Sequence, residues 1–319
     1  MSKRVVITGA AGFIGSHLCE TLLNRGHSVV GIDNLLTGDL ANIARLRDQD
    51  FQFIRHDVTR YIDVDGPVDY VLHWASPASP IDYLELPIQT MKVGSLGTHN
   101  ALGLAKAMGA RFVIASTSEV YGKSSVVPFR ESADLVLGPT EKHRWAYACS
   151  KLIDEFLALA YWREKRLPVV VVRLFNTVGP RQTGRYGMVL PTFVRQALAG
   201  QPITVFGDGT QSRSFTYVGD VVDALVALAS EPRAIGGVYN IGNTGEVTIA
   251  DLAARVKEVT ASTSAIQLIP YDEAYEAGFE DMPRRVPDIT KLRELIGFAP
   301  KMALDDIIKT VVDHQSGLA

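Results

Sequence analysis

The stretch "VVITGAAGFIGSHL", residues 5–18, decides how the rest of the chain is read. A short apolar run ends at Gly9, and glycine recurs at Gly12 and Gly15 as a helical pattern begins. Glycine at such a turn lets the chain bend sharply, lets backbone approach a pyrophosphate, and lets the helix pack on the strand. The start of the helix adds free N–H groups and the positive end of the helix dipole. The spacing, Gly-x-x-Gly-x-x-Gly, is one residue longer than the commonest fingerprint, and taken alone it describes only a flexible turn. Its place at the first strand–helix junction makes it an expected dinucleotide site, with Gly9, Gly12, Phe13, Ile14 and Gly15 as contacts.

Two carboxylates further along fit the same ligand. Asp33, followed by Asn34, closes the second strand in "VVGIDN", where a carboxylate binds the ribose hydroxyls of NAD and repels the extra phosphate of NADP. Asp57, before Val58 in "FIRHDV", stands where a side chain could meet the adenine amino group; a helix N-cap explains it equally well. NAD is the expected cofactor.

Outward from this unit, short β-branched runs alternate with helical patterns: "HSVVGID", "FQFIRHD", "YVLHWA" and "RFVIAS". Continuous apolar strands separated by amphipathic helices predict a parallel sheet covered on both faces. After "LPVVVVRLFN", residues 167–176, the elements shorten and Gly and Pro increase. The expected fold is α/β, a Rossmann-type doubly wound parallel sheet with a smaller α/β C-terminal region, which the family resemblance given below implies is a substrate domain. Residues 1–175 are expected to form mainly the NAD-binding domain and 176–319 mainly the substrate domain, with some elements crossing back.

Composition narrows the function. The chain has 319 residues, 47% hydrophobic and 21% charged, enough for a substantial core. A formal net charge of -3 gives no general attraction to nucleic acid or to an anionic membrane, so an anionic ligand must be held by particular arginines. Cys19 and Cys149 have no metal-ligand spacing, which predicts no metal site and no disulfide framework. No apolar run approaches the ~20 residues of a membrane span. The segment "MSKRVVITGA" is expected to enter a strand at once, leaving no signal peptide, so a cytoplasmic protein is expected.

The reacting centre is expected where "IASTSEVYG", residues 114–122, meets "YACSK". Tyr147 and Lys151 lie four apart in a helical pattern and so share one helix face. An ammonium nearby, with the positive charge of an oxidised nicotinamide, stabilises a phenolate, and the tyrosine becomes a general base. A hydroxyl from Ser116, Thr117 or Ser118 could share the substrate's proton, and Glu119 is a carboxylate at a strand end that is either solvated or used.

In order, Gly9-x-x-Gly12-x-x-Gly15, Asp33, "HWASPAS", "STSEVYG", Tyr147-x-x-x-Lys151 and "RLFNTVGPR" resemble the extended short-chain dehydrogenase/reductases that act on nucleotide sugars, over nearly the whole chain. "ASPASP" and "LGTHNALGLAKAMGARFVIASTSEVYG" resemble the UDP-glucuronate decarboxylases that make UDP-xylose. "RWAYACSK" and "GFEDMPRRVPD" resemble those that make UDP-apiose or UDP-4-keto-pentose. The resemblance implies a tightly held NAD, with Ala75, Lys92, Ser116, Tyr147 and Lys151 among its contacts. It implies that Thr117 and Ser118 bind the sugar's carboxylate or carbon 4 oxygen, and that Glu119 and Arg285 face carbon 5, with Arg284 the alternative to Arg285. Arg213 and Asn176 would hold the diphosphate with Arg181 nearby, Val205 and Phe206 would line the uracil pocket, and Arg185, in a loop "RQTGRYG" closing over the substrate, would reach a phosphate. A homodimer through paired helices is implied, with Leu152, Phe156, Leu159 and Trp162 as core or interface; His73 is read as a satisfied structural histidine.

The chain departs from its relatives in places. Gly94 stands where they often carry asparagine, and Ser118 stands where 4,6-dehydratases carry aspartate and apiose-forming enzymes cysteine. The expected activity is decarboxylation of UDP-glucuronate to UDP-xylose or UDP-4-keto-pentose. A UDP-uronate or UDP-hexose 4-epimerase and a nucleotide-hexose 4,6-dehydratase are the alternatives, and a non-catalytic NAD-binding protein is disfavoured by Tyr147 and Lys151.

Overall fold

The structure is a computed structural model that describes residues 2–182, 188–270, 273, 282 and 284–317. The opening segment folds as strand β1 (Arg4–Thr8) and helix α1 (Phe13–Asn24), followed by β2 (Ser28–Asp33), β3 (Phe51–Arg55) and β4 (Tyr70–His73). Two short helices, α2 (Pro80–Glu85) and α3 (Pro87–Lys92), run through a wide π turn at Val93–Gly97 into α4 (Thr98–Met108). Gly109, at φ 63°, closes α4 in the left-handed conformation that glycine adopts without strain. The chain then forms β5 (Arg111–Thr117), a 3₁₀ turn at Ser118–Tyr121, the long α5 (Trp145–Lys165) and β6 (Val169–Leu174).

These strands join one sheet of seven, completed by β11 (Val238–Ile241), in the order β11-β6-β5-β4-β1-β2-β3, and every pairing is parallel. Val5 lies level with Val29 on one side and Tyr70 on the other, so β1 is the strand at which the winding reverses. A crevice at the carboxyl ends of strands flanking such a reversal is where ligands bind in open α/β sheets. Helix α1 and α7 (Val218–Ser230) cover one face, around Leu18, Leu22, Val221 and Leu225. Helices α4 and α5 cover the other, around Ala101, Leu102, Phe112 and Ala158. The near-unbroken burial of Val169 to Val172 follows from a strand covered on both sides.

The remaining elements build a second core. It packs α6 (Val189–Leu198), α8 (Ile249–Val259) and helix Leu304–Gln315 around Phe193, Val205, Leu252 and Ile308. Strand β8 (Ile203–Phe206) pairs in parallel with β13 (Ile266–Ile269), and β7 (Thr177–Val178) with β10 (Thr216–Tyr217). A three-stranded sheet, β12 (Glu246–Thr248), β9 (Ser212–Ser214) and β14 (Arg284–Arg285), carries two of the expected site arginines. Strand β11, α7 and the segment around Ile289, Leu292 and Phe298 return to the first layer, so the chain passes between layers more than once.

A buried polar bracket ties β5, β6 and α5. Arg173 meets both oxygens of Glu155 at 2.9 and 2.8 Å, and Glu155 also accepts from the Ser116 hydroxyl at 2.5 Å. Two parallel N–H···O bonds to one carboxylate fix orientation as well as distance. This bracket holds the α5 face against the ends of β5 and β6.

Candidate active site

The glycine turn fits a dinucleotide on its own geometry. A Cβ at Gly9, whose φ is +72°, would lie 2.7 Å from the Trp74 backbone, and one at Gly15 would overlap the Gly9 carbonyl. Helix α1 begins after Gly12 with no side-chain cap, so the amides of Phe13 and Ile14 face the turn as anion donors. Asp33 closes the turn from β2, accepting from the Ala11 amide at 3.0 Å and the Leu35 amide at 2.8 Å. Burial pushes its carboxyl up, and those backbone donors oppose the rise. Asn34 accepts from Leu36 at 3.0 Å. Asp57 accepts from the amide and hydroxyl of Thr59, both at 2.9 Å, so it organises a local turn rather than capping an α-helix. Asn100 of α4 holds that turn through the carbonyl of Val58 at 2.9 Å. Ala75 lies at the same crevice, its amide 3.3 Å from the Thr8 hydroxyl, and Lys92 is exposed at the end of α3.

At the ends of β5 and α5 the expected reacting groups come together. Tyr147 is 7% exposed, and the Thr117 hydroxyl, which accepts from the Glu119 amide at 3.2 Å, favours its phenolate form. Strand alternation separates two of the three candidate hydroxyls: Ser116 turns to Glu155, and Thr117 lies on the Tyr147 side. Ser118 is buried at the start of the 3₁₀ turn. Burial and then the Glu119 charge push the Tyr147 phenol far above its ordinary range, opposed by Thr117 and Arg285. The Lys151 ammonium donates to the Ala115 carbonyl at 3.1 Å and to Asp154 at 2.9 Å.

Glu119 is not solvated. It is 8% exposed and lies between two guanidinium groups, Arg285 on one oxygen and Arg144 on the other, each at 3.4 Å. The two-residue strand turns the two arginines apart: Arg284 meets Glu246 at the surface, while Arg285 turns inward to Glu119. Arg285 also lies level with Arg213 on the adjacent strand, and Arg213 is 7% exposed with one N–H on the Ser212 carbonyl at 2.8 Å. Asn176, at the unusual φ of 22°, donates to the Ser214 carbonyl at 2.9 Å. Val205, expected at the uracil pocket, is instead fully buried in the second core and paired with Leu268 of β13, whereas Phe206 is half-buried. Arg181, expected near the diphosphate, is instead paired with Glu20 of α1 and reaches Ser16 at 3.3 Å. Arg185 lies outside the described residues.

Sequence reasoning misses two residues of this site. Arg144 is 4% exposed and stands three residues before Tyr147; its only signal is a cation at the mouth of the helix. Tyr83, from α2, stacks parallel on Tyr147 with ring centres 5.0 Å apart and 3° between planes. An aromatic shortly after "ASPASP" is its only mark.

A glycine turn at the reversal of a parallel sheet, with a Tyr–Lys pair at the same strand ends, defines a dinucleotide-dependent enzyme of the Rossmann class. Residues 5–242 match the NAD dependent epimerase/dehydratase family, and the chain belongs to it. It is 40% identical over 315 residues to UDP-glucuronic acid decarboxylase 1 of Danio rerio, a match that covers 98% of this chain and 73% of that protein. It is 39% identical over 324 residues to UDP-N-acetyl-alpha-D-glucosaminuronate decarboxylase of Bacillus cytotoxicus, covering 98% and 97%. Among solved structures, UDP-glucuronic acid 4-epimerase from Bacillus cereus in complex with UDP-glucuronic acid and NAD superposes with a TM-score of 0.86, at 30% identity over 99% of this chain and 100% of that one.

Proposed function

We propose that the chain is an NAD-dependent UDP-glucuronate decarboxylase that works through a 4-keto intermediate. The observation that carries this reading is Glu119, buried between Arg144 and Arg285 beside Tyr147. Bound NAD supplies the acceptor for the hydrogen of carbon 4. Tyr147, with Thr117 on its hydroxyl and Lys151 one turn away, takes the proton of the carbon 4 hydroxyl. Once carbon 4 is a ketone, the carboxylate on carbon 5 is β to it and leaves as carbon dioxide, its bonding electrons passing into an enolate. The enolate needs a proton at carbon 5. A water that Glu119 positions delivers it, solvent supplying the proton that decarboxylation consumes, while Arg144 and Arg285 hold the carboxylate side of the sugar. Ser118 and Thr117 meet the carbon 4 oxygen, and Arg213, Asn176 and Phe206 take the UDP. Re-reduction of the ketone gives UDP-xylose; release gives UDP-4-keto-pentose.

A second reading, 4-epimerisation, is favoured by the likeness to the Bacillus cereus enzyme. Epimerisation shares Tyr147 and Lys151 and needs no proton at carbon 5. A decarboxylase acting on a 2-acetamido sugar is a third substrate class, after the Bacillus cytotoxicus relative. Incubation with UDP-glucuronate, following carbon dioxide and the sugar by NMR, separates these: carbon dioxide with a pentose product supports the proposal, and UDP-galacturonate without carbon dioxide overturns it.

The same proposal includes a homodimer, with residues 1–175 mainly holding NAD and 176–319 mainly the substrate. Phe156 on α5 and Leu96 beside α4 are 67% and 52% exposed on the helices expected to pair, which supports a dimer that light scattering would test. Among the described residues no helix is long and apolar enough to cross a membrane. A cytoplasmic location is proposed on the two free cysteines and the NAD chemistry.

A further inference from the structure

The proposed function makes Lys151 the cation beside the Tyr147 phenolate, and the inference drawn here rests on that reading. The Lys151 side chain is 4% exposed. Taking an ammonium out of water is costly, and a paired, hydrogen-bonded anion offsets that cost. Its ammonium therefore needs an anchored anion, and Asp154, one turn along α5 and 1% exposed, provides one at 2.9 Å.

The polarity of every hydrogen bond behind Asp154 is then fixed. An ionised carboxylate only accepts, so the Thr98 hydroxyl of α4 donates to it. The Thr98 oxygen is left to accept from Nε2–H of His73, 3.1 Å away. Nδ1 of His73 must then be bare, and it accepts from the Thr8 hydroxyl at 2.7 Å. The Thr8 oxygen accepts in turn from the amides of Trp74 at 3.2 Å and Ala75 at 3.3 Å. All these groups are satisfied together with Asp154 ionised and His73 neutral; burial pushes the Asp154 carboxyl up, and Lys151 and Thr98 oppose that rise. Burial, helped by the Lys151 charge, lowers His73 to about 3, in keeping with that state.

We propose that Asp154 is the positioning residue of Lys151: its carboxylate keeps the ammonium charged and fixed beside Tyr147, and Thr98, His73 and Thr8 fasten that carboxylate to the strand ends of the dinucleotide turn. The other charged groups nearby are engaged elsewhere. Glu155 of α5 is held by Arg173 and Ser116, and Glu119 faces Arg144 and Arg285 on the far side of Tyr147. No other carboxylate among the described residues is within ion-pair distance of Lys151.

Asp154→Asn tests this. Its amide oxygen can serve Thr98, but its NH₂ group then faces the ammonium, so Lys151 loses its anion. With NAD content and melting behaviour retained, kcat is expected to fall about 10- to 100-fold with KM for UDP-glucuronate nearly unchanged. The alkaline limb of the kcat–pH profile is expected to move down by about one pH unit, since a lysine without its anion loses its proton sooner. Asp154→Glu, which keeps the charge, is expected to recover most of both. A wild-type profile in folded Asp154→Asn, or a loss confined to KM, would overturn the assignment. Should Asp154→Asn not fold, Thr98→Val loosens the same carboxylate and is expected to shift the limb in the same direction by less; an unchanged limb overturns the assignment equally. Tyr147→Phe run alongside keeps the two ideas apart. Surviving turnover there defeats the reading of the site, whereas a dead Tyr147→Phe beside an unaltered Asp154→Asn defeats only the role of Asp154.

Discussion

The two sides of Tyr147 are built differently. On the Lys151 side, hydrogen bonds run from Asp154 through Thr98 and His73 to Thr8, each group has a partner, and all are buried. On the Glu119 side, one carboxylate faces two guanidinium groups, each at 3.4 Å, longer than the 2.7–2.9 Å of a tight charge-assisted hydrogen bond. One side is finished before any ligand arrives. The other is loosely joined, two guanidinium groups about one carboxylate, an arrangement that suits a substrate bringing its own carboxylate. Under the proposed function, the finished side would serve any sugar oxidation at carbon 4, and the Glu119 side would select an acid.

Removing the group both sides share should have the largest effect. Tyr147→Phe is expected to keep NAD bound and to lower kcat by about 10³- to 10⁴-fold, the scale of a lost general base; cofactor content and single-turnover rates check both halves. Next, Glu119→Gln is expected to slow release of carbon dioxide by about 10²-fold with a small change in substrate affinity. A variant that binds poorly but turns over normally would erase the distinction drawn between the two sides. Arg144→Lys keeps the charge but loses the planar fork, and KM for UDP-glucuronate is expected to rise by about tenfold while affinity for UDP itself holds; calorimetry with the two ligands separates these. Arg284→Ala, on the outward neighbour of Arg285, is expected to leave activity within about twofold and the melting temperature nearly unchanged, because its pair with Glu246 is exposed. A large effect there would mean that the inward and outward arginines had been assigned the wrong way round.

Much of the first layer was legible because its rules are local. Apolar runs, a glycine turn and a carboxylate at a strand end sit within a few residues of one another, and six strands of the parallel sheet follow from them; the seventh, β11, returns from beyond residue 176 and was not among those runs. The Tyr147–Lys151 pair is likewise a matter of helical spacing. What escaped depends on contacts distant in sequence. Arg285 meets Glu119 across 166 positions, and its preference over Arg284 comes from strand pairing with β9, which neither residue's type reveals. Arg181 found Glu20 across 161 positions, an ion pair no local reading could weigh against a phosphate. Ser116 and Thr117 were separable in principle, since neighbours on a strand face opposite ways, but which face met α5 required the fold. Tyr83 and Arg144 were hidden by type: an aromatic and a cation are ordinary on helices, and only their convergence on Tyr147 and Glu119 marks them.

The pairing of β14 with β9 sets Arg285 level with Arg213, one strand apart. Neighbouring strands keep a separation of about 4.8 Å, and a hydrogen-bonded ladder does not stretch. If Arg213 grips the diphosphate and Arg285 the carboxylate edge of the sugar, the two strands act as a caliper. A nucleotide sugar is then measured by the distance between its two anionic ends, and one with its acid at another ring position is refused by length before its chemistry is tried.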